Sequence, residues 1–281
     1  MPATPEPVLT CGRFELRLDR PRIMGILNLT DDSFSDGGRW LEPSAAVARA
    51  LRMVEEGAEL LDLGAESTRP GAPPVPAALE LGRLLPVLRA LEGCGVPLSV
   101  DTRKPEVMRA VLDAGADMIN DVAGFRTAEA IDAVRGGRAA CCVMHMLGEP
   151  STMQRAPVYR DVVGEVAAWL AERTAALQHA GVDRARIVLD PGFGFGKTLE
   201  HNLALLARLG ATAPPDVPVL VGVSRKSMVG ALTGRPVEGR LAGSLAAMLA
   251  AVARGARIVR VHDVAETRDA LAVWAAVDGA R

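Results

Sequence analysis

The chain has 281 residues, of which 49% are hydrophobic and 3% aromatic, and its formal net charge is −2. This length fits one large domain or two ordinary ones, and a (β/α)8 barrel often takes about 250 residues as one unit. With no basic field and few rings to stack on, nucleic acid is excluded as a partner, so any anionic ligand must be met by local cations.

Residues 1–21 read as an N-terminal appendage. Apolar and polar side chains alternate on either side of Gly12, from Val8 to Cys11 and from Phe14 to Leu18. That is the pattern of a short β-hairpin, which in a barrel would cover the bottom of the core. From residue 22 onward, apolar runs recur, and most end in a polar or charged residue. Runs 23–27, 60–63 and 98–100 lead to Asn28, to Glu66-Ser67-Thr68-Arg69 and to Asp101. Runs 118–119, 141–144 and 187–189 lead to Asn120-Asp121, His145 and Asp190, and runs 219–223 and 258–259 to Ser224-Arg225-Lys226-Ser227 and Arg260-Val261-His262.

Between these runs, helical spacing predicts helices over 44–57, 77–93, 105–115, 127–136, 158–181, 199–209, 239–255 and 264–277, several closing at a glycine. Ser44 and Thr127 are placed to cap the first and the fourth. Eight strand-then-helix units predict an α/β fold, a closed (β/α)8 TIM barrel formed as a single domain over 22–281. Its active site would lie where the strands end.

Two strand-to-helix connections, 30–43 and 66–76, exceed the usual span of about 2–6 residues and read as lids or binding loops. A third, 147–157, reads as a further surface loop. The four cysteines, Cys11, Cys94, Cys141 and Cys142, form no CxxC pair and read as reduced structural thiols. No Lys/Arg-led apolar segment opens the chain, and no apolar run reaches the ~20 residues of a membrane helix. A soluble cytoplasmic protein is expected, with no membrane partner.

The segment Pro191-Gly-Phe-Gly-Phe-Gly-Lys-Thr198 ends like a phosphate loop, but such a loop needs four residues between its glycines. Gly192 and Gly196 enclose three. The informative residue there is Asp190, with glycines behind it that let a flat ligand approach the backbone. Phe193 and Phe195 read as wall or core residues, Phe195 on the side of the ligand. His145 reads as a packing or hydrogen-bonding residue, and His179 and His201 as surface residues.

At the strand ends, Asn28, Asp101, Asn120 and Asp190 supply acceptors and an amide, and Arg69, Lys226, Arg260 and His262 supply positive charge. Buried Asp and Asn together suit the edge of a heterocycle that presents donors and acceptors, and the cations suit phosphate oxygens. No Cys/His set has zinc-ligand spacing. Asn28 and the acidic loop residues Asp32 and Asp36 suit Mg²⁺ beside a phosphate. A polar heterocycle joined to a phosphate is the favoured ligand class.

At these residues the chain resembles the dihydropteroate synthase family. The segments that carry the resemblance are Ile23-Met-Gly-Ile-Leu-Asn28 with Thr30-Asp-Asp-Ser-Phe-Ser-Asp-Gly-Gly38, Glu66-Ser-Thr-Arg-Pro-Gly-Ala72, Ser99-Val-Asp-Thr102 and Ile119-Asn-Asp-Val122. Asp190-Pro-Gly-Phe-Gly-Phe-Gly-Lys197, Ser224-Arg-Lys-Ser227 and Arg260-Val-His-Asp263 complete an ordered series over nearly the whole chain. The resemblance implies a transferase that joins 6-hydroxymethyl-7,8-dihydropterin diphosphate to p-aminobenzoate and releases pyrophosphate.

Carried over residue by residue, it implies that Asp101, Asn120, Asp190 and Lys226 hold the pterin, Arg260 and His262 the diphosphate, and Asn28 the accompanying Mg²⁺. Phe34, Asp36, Ser67, Thr68, Arg69 and Ser227 would complete the p-aminobenzoate site, and Asp36, Arg69, Lys226, Arg260 and His262 form the catalytic set. A homodimer through the later helices is also implied. The chain departs from the common family pattern at Asp31, where proline is usual, and at Ala65, where glycine is usual.

The reading of the residues expects departure of the leaving group first and no strong general base, and therefore no nucleophile–histidine pair in the pocket. Two alternatives share the fold. A corrinoid-type pterin-binding methyltransferase would have little use for the 30–38 loop or for Ser67-Thr-Arg-Pro-Gly71. A catalytically silent pterin-binding paralogue would be expected to have lost Asn28, Arg69, Lys226 or His262, and all four are present.

Overall fold

A parallel strand covered on both faces sends alternate side chains into two different environments, and parity along each run builds this molecule. The computed structural model describes residues 8–30, 43–67, 72–149 and 152–280. Strands β1 (Val8–Cys11) and β2 (Phe14–Arg17) form the expected antiparallel hairpin. Strands β3 (Arg22–Asn28), β4 (Leu60–Gly64), β5 (Leu98–Asp101), β6 (Met118–Asp121), β7 (Ala140–Met144), β8 (Ile187–Asp190), β9 (Val219–Val221) and β10 (Ala256–Val261) follow. They pair in parallel in sequence order, and β10 closes the ring against β3. The fold is the TIM barrel that the sequence predicts.

Side chains of one parity (Leu61, Leu63, Val100, Ile119, Val143 and Leu189 among them) pack outward beneath the helices. Those of the other parity point into the barrel. Its lower interior is an apolar plug of Met24, Leu60, Met118, Ala140, Cys142, Val188, Leu220 and Ile258. Leu9 and Cys11 of β1 and Leu18 just after β2 pack on that plug, so the hairpin covers the bottom of the barrel as expected. Buried Asp117 fastens it there, its carboxylate accepting from Arg13 N at 3.3 Å and Leu98 N at 3.1 Å. All four cysteines are free.

The helices are α1 (Pro43–Glu56), α2 (Ala77–Ala90), α3 (Pro105–Asp113), α4 (Ala128–Arg135), α5 (Val162–His179), α6 (Leu199–Ala207), α7 (Ser227–Thr233), α8 (Leu241–Val252) and α9 (Val264–Asp278). Thr127 caps α4, accepting from Ala130 N. Ser44, the expected cap of α1, is the second residue of that helix. That helix already begins at Pro43, a residue suited to the first turn because its missing N–H has no partner to lose there.

Helix α5 starts four residues later than the spacing predicts, because Glu165 takes the backbone N–H groups of Arg160 and Asp161 onto its carboxylate. Short α7 has no counterpart in the predicted elements; it ends at Gly234, whose φ is +68°. None of the helices among the described residues is long and apolar enough to cross a membrane.

Leu9→Ala should leave a cavity against the plug and lower unfolding free energy by about 2–5 kcal/mol. Denaturant titration checks the loss, and ligand binding at the opposite end of the barrel should survive it.

Candidate active site

Above the plug, the inward parity turns polar. Asp62, in the middle of β4, is fully buried and accepts from three elements at once. Ser99 Oγ of β5 donates at 2.6 Å, Asn120 Nδ2 of β6 at 3.2 Å and Arg260 Nε of β10 at 2.5 Å. The other side of the same guanidinium reaches Asp101, with Nη2 3.0 Å from its carboxylate. One cation is therefore shared by two carboxylates, one fully buried and one half-buried. Burial opposes the charge on Arg260, but Asp62 and Asp101 outweigh it and hold its pKa above the ordinary arginine value. Burial raises the Asp101 carboxyl above the usual carboxylate range, Arg260 opposes that shift, and Asp62 adds to it.

Asp62 was hidden from the sequence reading inside a run taken as apolar. Its parity with Leu60 and Gly64, facing into the barrel, was the available signal. The same rule separates neighbours on β6. Asn120 faces the floor, whereas Asp121 accepts from the Ala123 and Phe125 backbone N–H groups and shapes the turn behind it. Burial pushes Asp121 up to about 6, against those two hydrogen bonds.

On the far wall, Asp190 is buried and accepts from Gly192 N at 2.7 Å. Burial raises its pKa and nearby Lys226 opposes the rise. Lys226 stands just before α7, donates to Phe193 O and lies with Nζ 4.6 Å from the centre of the Phe195 ring. Burial pulls its pKa down to about 8 while Asp190 works the other way. Phe193 is core and half-buried Phe195 is wall, as the sequence suggests.

The sequence leads one to expect no nucleophile–histidine pair in the pocket, yet Ser224 Oγ lies 3.0 Å from His262 Nδ1. Ser224 is buried and also accepts from the His262 backbone N–H at 3.3 Å. The pair thus fixes the ring relative to its own strand end.

Arg225, between Ser224 and Lys226, adopts a left-handed φ of 58°. That conformation is costly for a side-chain-bearing residue, and the Asp263 carboxylate, Ser244 Oγ and Arg240 hold it in place. Ser227 begins α7 and is exposed, and Asn28 is half-buried at the end of β3.

Glu66, at the foot of the second long connection, pairs with Arg103 at 3.2 Å and with Lys104, which also reaches buried Glu80 at 2.5 Å. Half-buried Ser67 follows it. Thr68, Arg69, Phe34, Asp36, Asp31 and Asp32 lie outside the described residues. Ala65 is buried, and its methyl group joins the core between barrel and helices.

His145 is buried and hydrogen-bonded, as expected, with Trp169 edge-on at 5.1 Å. It does have a cationic neighbour, Lys197, supplied from 52 residues away. His201 is not a plain surface residue: it completes a capping box with Thr198 and meets the Tyr159 ring at 4.9 Å. The connection after β7 is anchored as well, since Met153 is buried and Gln154 reaches Gly194 O at 2.5 Å.

Asp62, Asp101, Asn120, Asp190, Lys226 and Arg260 thus gather at the end of the barrel where the strands finish. Residues 24–262 match the family described as pterin binding enzyme. The chain belongs to that class and, within it, to the dihydropteroate synthase family of enzymes.

It is 51% identical over 277 residues to the dihydropteroate synthase of Neisseria meningitidis serogroup B, covering 96% of this chain and 97% of that one. The Escherichia coli K12 dihydropteroate synthase is 47% identical over 259 residues, 92% of each chain. Among solved structures, Burkholderia cenocepacia dihydropteroate synthase complexed with 7,8-dihydropteroate superposes with a TM-score of 0.91 at 56% identity, covering 98% of both chains. The Xanthomonas albilineans dihydropteroate synthase with 4-aminobenzoic acid gives a TM-score of 0.91 at 54% identity, covering 97% of this chain and 98% of that one.

Removing one partner of a buried ion pair leaves the other charge uncompensated, at a cost of about 3–5 kcal/mol. Asp62→Ala should show that loss in chemical denaturation. Asp62→Asn, which keeps the contacts to Ser99 and Asn120, should lose less, and equal losses would mean that the charge on Asp62 is irrelevant.

Proposed function

We propose that the enzyme condenses 6-hydroxymethyl-7,8-dihydropterin diphosphate with p-aminobenzoate, giving 7,8-dihydropteroate and pyrophosphate. The observation that carries this reading is the buried floor in which Asp101, Asn120 and Asp190 stand beside Lys226 and Arg260. A pterin edge alternates N–H donors with ring nitrogen and carbonyl acceptors. Asp101 and Asp190 would accept from the donors, and the Asn120 amide and Lys226 would meet the rest. The Burkholderia and Xanthomonas relatives, with 7,8-dihydropteroate and 4-aminobenzoic acid bound, support the product and the second substrate.

In the ligand-free arrangement Arg260 is engaged by Asp62 and Asp101. Arrival of a pterin at Asp101 would let Nη2 turn to the diphosphate while Nε stays on Asp62. The exchange keeps every buried charge paired. His262, its ring fixed by Ser224, would meet the same diphosphate. The bond from the pterin methylene carbon to the diphosphate oxygen breaks with its electron pair leaving on pyrophosphate, and Arg260 and His262 stabilise that growing charge. Asp101 and Asp190 favour the cationic ring left behind.

The neutral aniline nitrogen then forms the new bond and gives its proton to solvent, so no strong base is needed. A single amide oxygen from Asn28 suits Mg²⁺, which keeps several waters and shares substrate phosphates. When bound, Mg²⁺ would supply Lewis-acid stabilisation to the leaving group. Phe34, Asp36, Ser67, Thr68, Arg69 and Ser227 would enclose p-aminobenzoate. The reading includes a cytoplasmic homodimer, for which exposed Leu232 on α7 and Val273 and Val277 on α9 offer apolar surface.

Supplying both substrates and Mg²⁺ should yield dihydropteroate and pyrophosphate in equal amounts. Binding of methyl-tetrahydrofolate with no condensation would favour the methyltransferase alternative instead. The pH profile of kcat/KM for the pterin diphosphate has a predictable shape. Carboxylates with raised pKa lose their charge as pH falls through that raised value, so the acid limb lies above the ordinary carboxylate range. Lys197 and Lys226, lowered by burial to about 7 and about 8, lose their charges as pH rises through those values. Lys226→Arg should carry the alkaline limb upward, and a wild-type profile flat through pH 9 would contradict the assignment. Arg69→Ala should weaken p-aminobenzoate capture and leave pterin diphosphate binding intact, with calorimetry separating the two.

A further inference from the structure

The segment 191–197, between β8 and α6, makes few hydrogen bonds to itself, yet its carbonyls are almost all claimed by side chains. Gly192 O and Phe195 O accept from Lys197 Nζ at 2.9 and 3.1 Å, and Phe193 O accepts from Lys226. Gly194 O and Gly196 O accept from Gln154 and from the Tyr159 hydroxyl at 2.5 and 3.0 Å. Lys197 is 3% exposed, and beyond the loop it meets His145 Nδ1 at 2.9 Å and His145 O at 3.3 Å. An ammonium has three protons to give, and four protein acceptors surround this one. That leaves nothing for a phosphate, which is the physical reason the Gly-Lys-Thr resemblance to a phosphate loop is a false one.

We propose that Lys197 is a positioning residue, an internal cation around which residues 191–197 fold, and that through Phe193 O and the Phe195 ring it sets where Lys226 stands in the pterin site. Three observations converge on this. Gly192 takes a left-handed φ of +71°, and a Cβ there would lie 1.9 Å from His145 O, so the loop is pressed onto the end of β7, where Lys197 joins the two. The His145 ring is held neutral, burial and then the Lys197 charge lowering its pKa to about 3, so its Nδ1 is an acceptor for the ammonium. Lys226 touches the loop twice, at Phe193 O and over Phe195; a loop that relaxes must therefore move it.

The inference rests on the reading of Lys226 as a pterin-binding residue, and the experiment separates the two. Steady-state kinetics and thermal unfolding are compared at pH 6, below the value of about 7 to which burial lowers Lys197, so that Nζ carries its charge, for wild type, Lys197→Met, Lys197→Ala and His145→Asn. Loss of the internal cation should raise KM for the pterin diphosphate about tenfold in Lys197→Met and leave KM for p-aminobenzoate within about twofold. His145→Asn, which removes one acceptor and keeps the lysine, should show the same asymmetry at smaller amplitude.

In Lys197→Ala, ethylammonium chloride should restore pterin affinity several-fold, and tetramethylammonium chloride, which has no N–H, should not. Rescue of that kind reports the cation and its protons rather than packing. Should the Lys197 variants fail to fold, the His145→Asn asymmetry decides the question. Unchanged pterin KM in the folded variants, equal loss for both substrates, or equal response to the two ammonium salts would overturn the proposal. Wild type that fails to condense the substrates would instead overturn the functional reading and leave the loop architecture standing.

Discussion

The guanidinium of Arg260 between Asp62 and Asp101 is the contact on which the upper half of the barrel depends. Its partners lie 198 and 159 residues away in sequence, so the interaction exists only once the ring has closed. It neutralises charge where little water reaches, Asp62 being fully buried, and it joins the last strand to the second and third strands of the ring across the barrel. Coulomb attraction is strong where the surroundings are poorly polarisable, and an unpaired charge there is correspondingly costly. The floor holds these two carboxylates with a cation between them, and in the proposed reaction a heterocycle carrying a diphosphate would take Asp101 and offer its phosphate oxygens to Arg260.

That arrangement needs a dry base and a rigid wall. The base is the apolar plug, sealed from below by Leu9, Cys11 and Leu18, which keeps the polar layer confined to the end where the strands finish. The wall is the glycine-rich segment after β8, held from within by Lys197 and from outside by Gln154 and Tyr159. Floor and wall follow one rule. Buried polar atoms are acceptable where each finds a partner, and both sets of partners come from several different strands and loops.

Much of the molecule was legible in the residues. Eight apolar runs with helical stretches between them announced the barrel, the alternation around Gly12 announced the hairpin, and Asp101, Asn120, Asp190, Lys226 and Arg260 were named from their places at strand ends. What escaped was set by contacts that are distant in sequence. Asp62 sat inside an apolar run, and only closure of the barrel revealed its three donors. The Ser224–His262 contact, the Lys197 cage and the packing of His201 on Tyr159 all depend on loops that fold against one another. Local competition explains one element boundary: Glu165 delays α5 by taking two N–H groups.

The period of the pattern, and with it the fold class and the end of the barrel where the polar residues gather, can be read along the chain. Those are consequences of side-chain parity and chain order, which a one-dimensional reading can follow. The pairing came from the closed fold: Arg260 is shared by two carboxylates, a lysine in a false phosphate motif is surrounded by four acceptors, and a serine steadies the histidine. Pairing depends on distance and burial. Both are properties of the closed barrel and of no single segment of it.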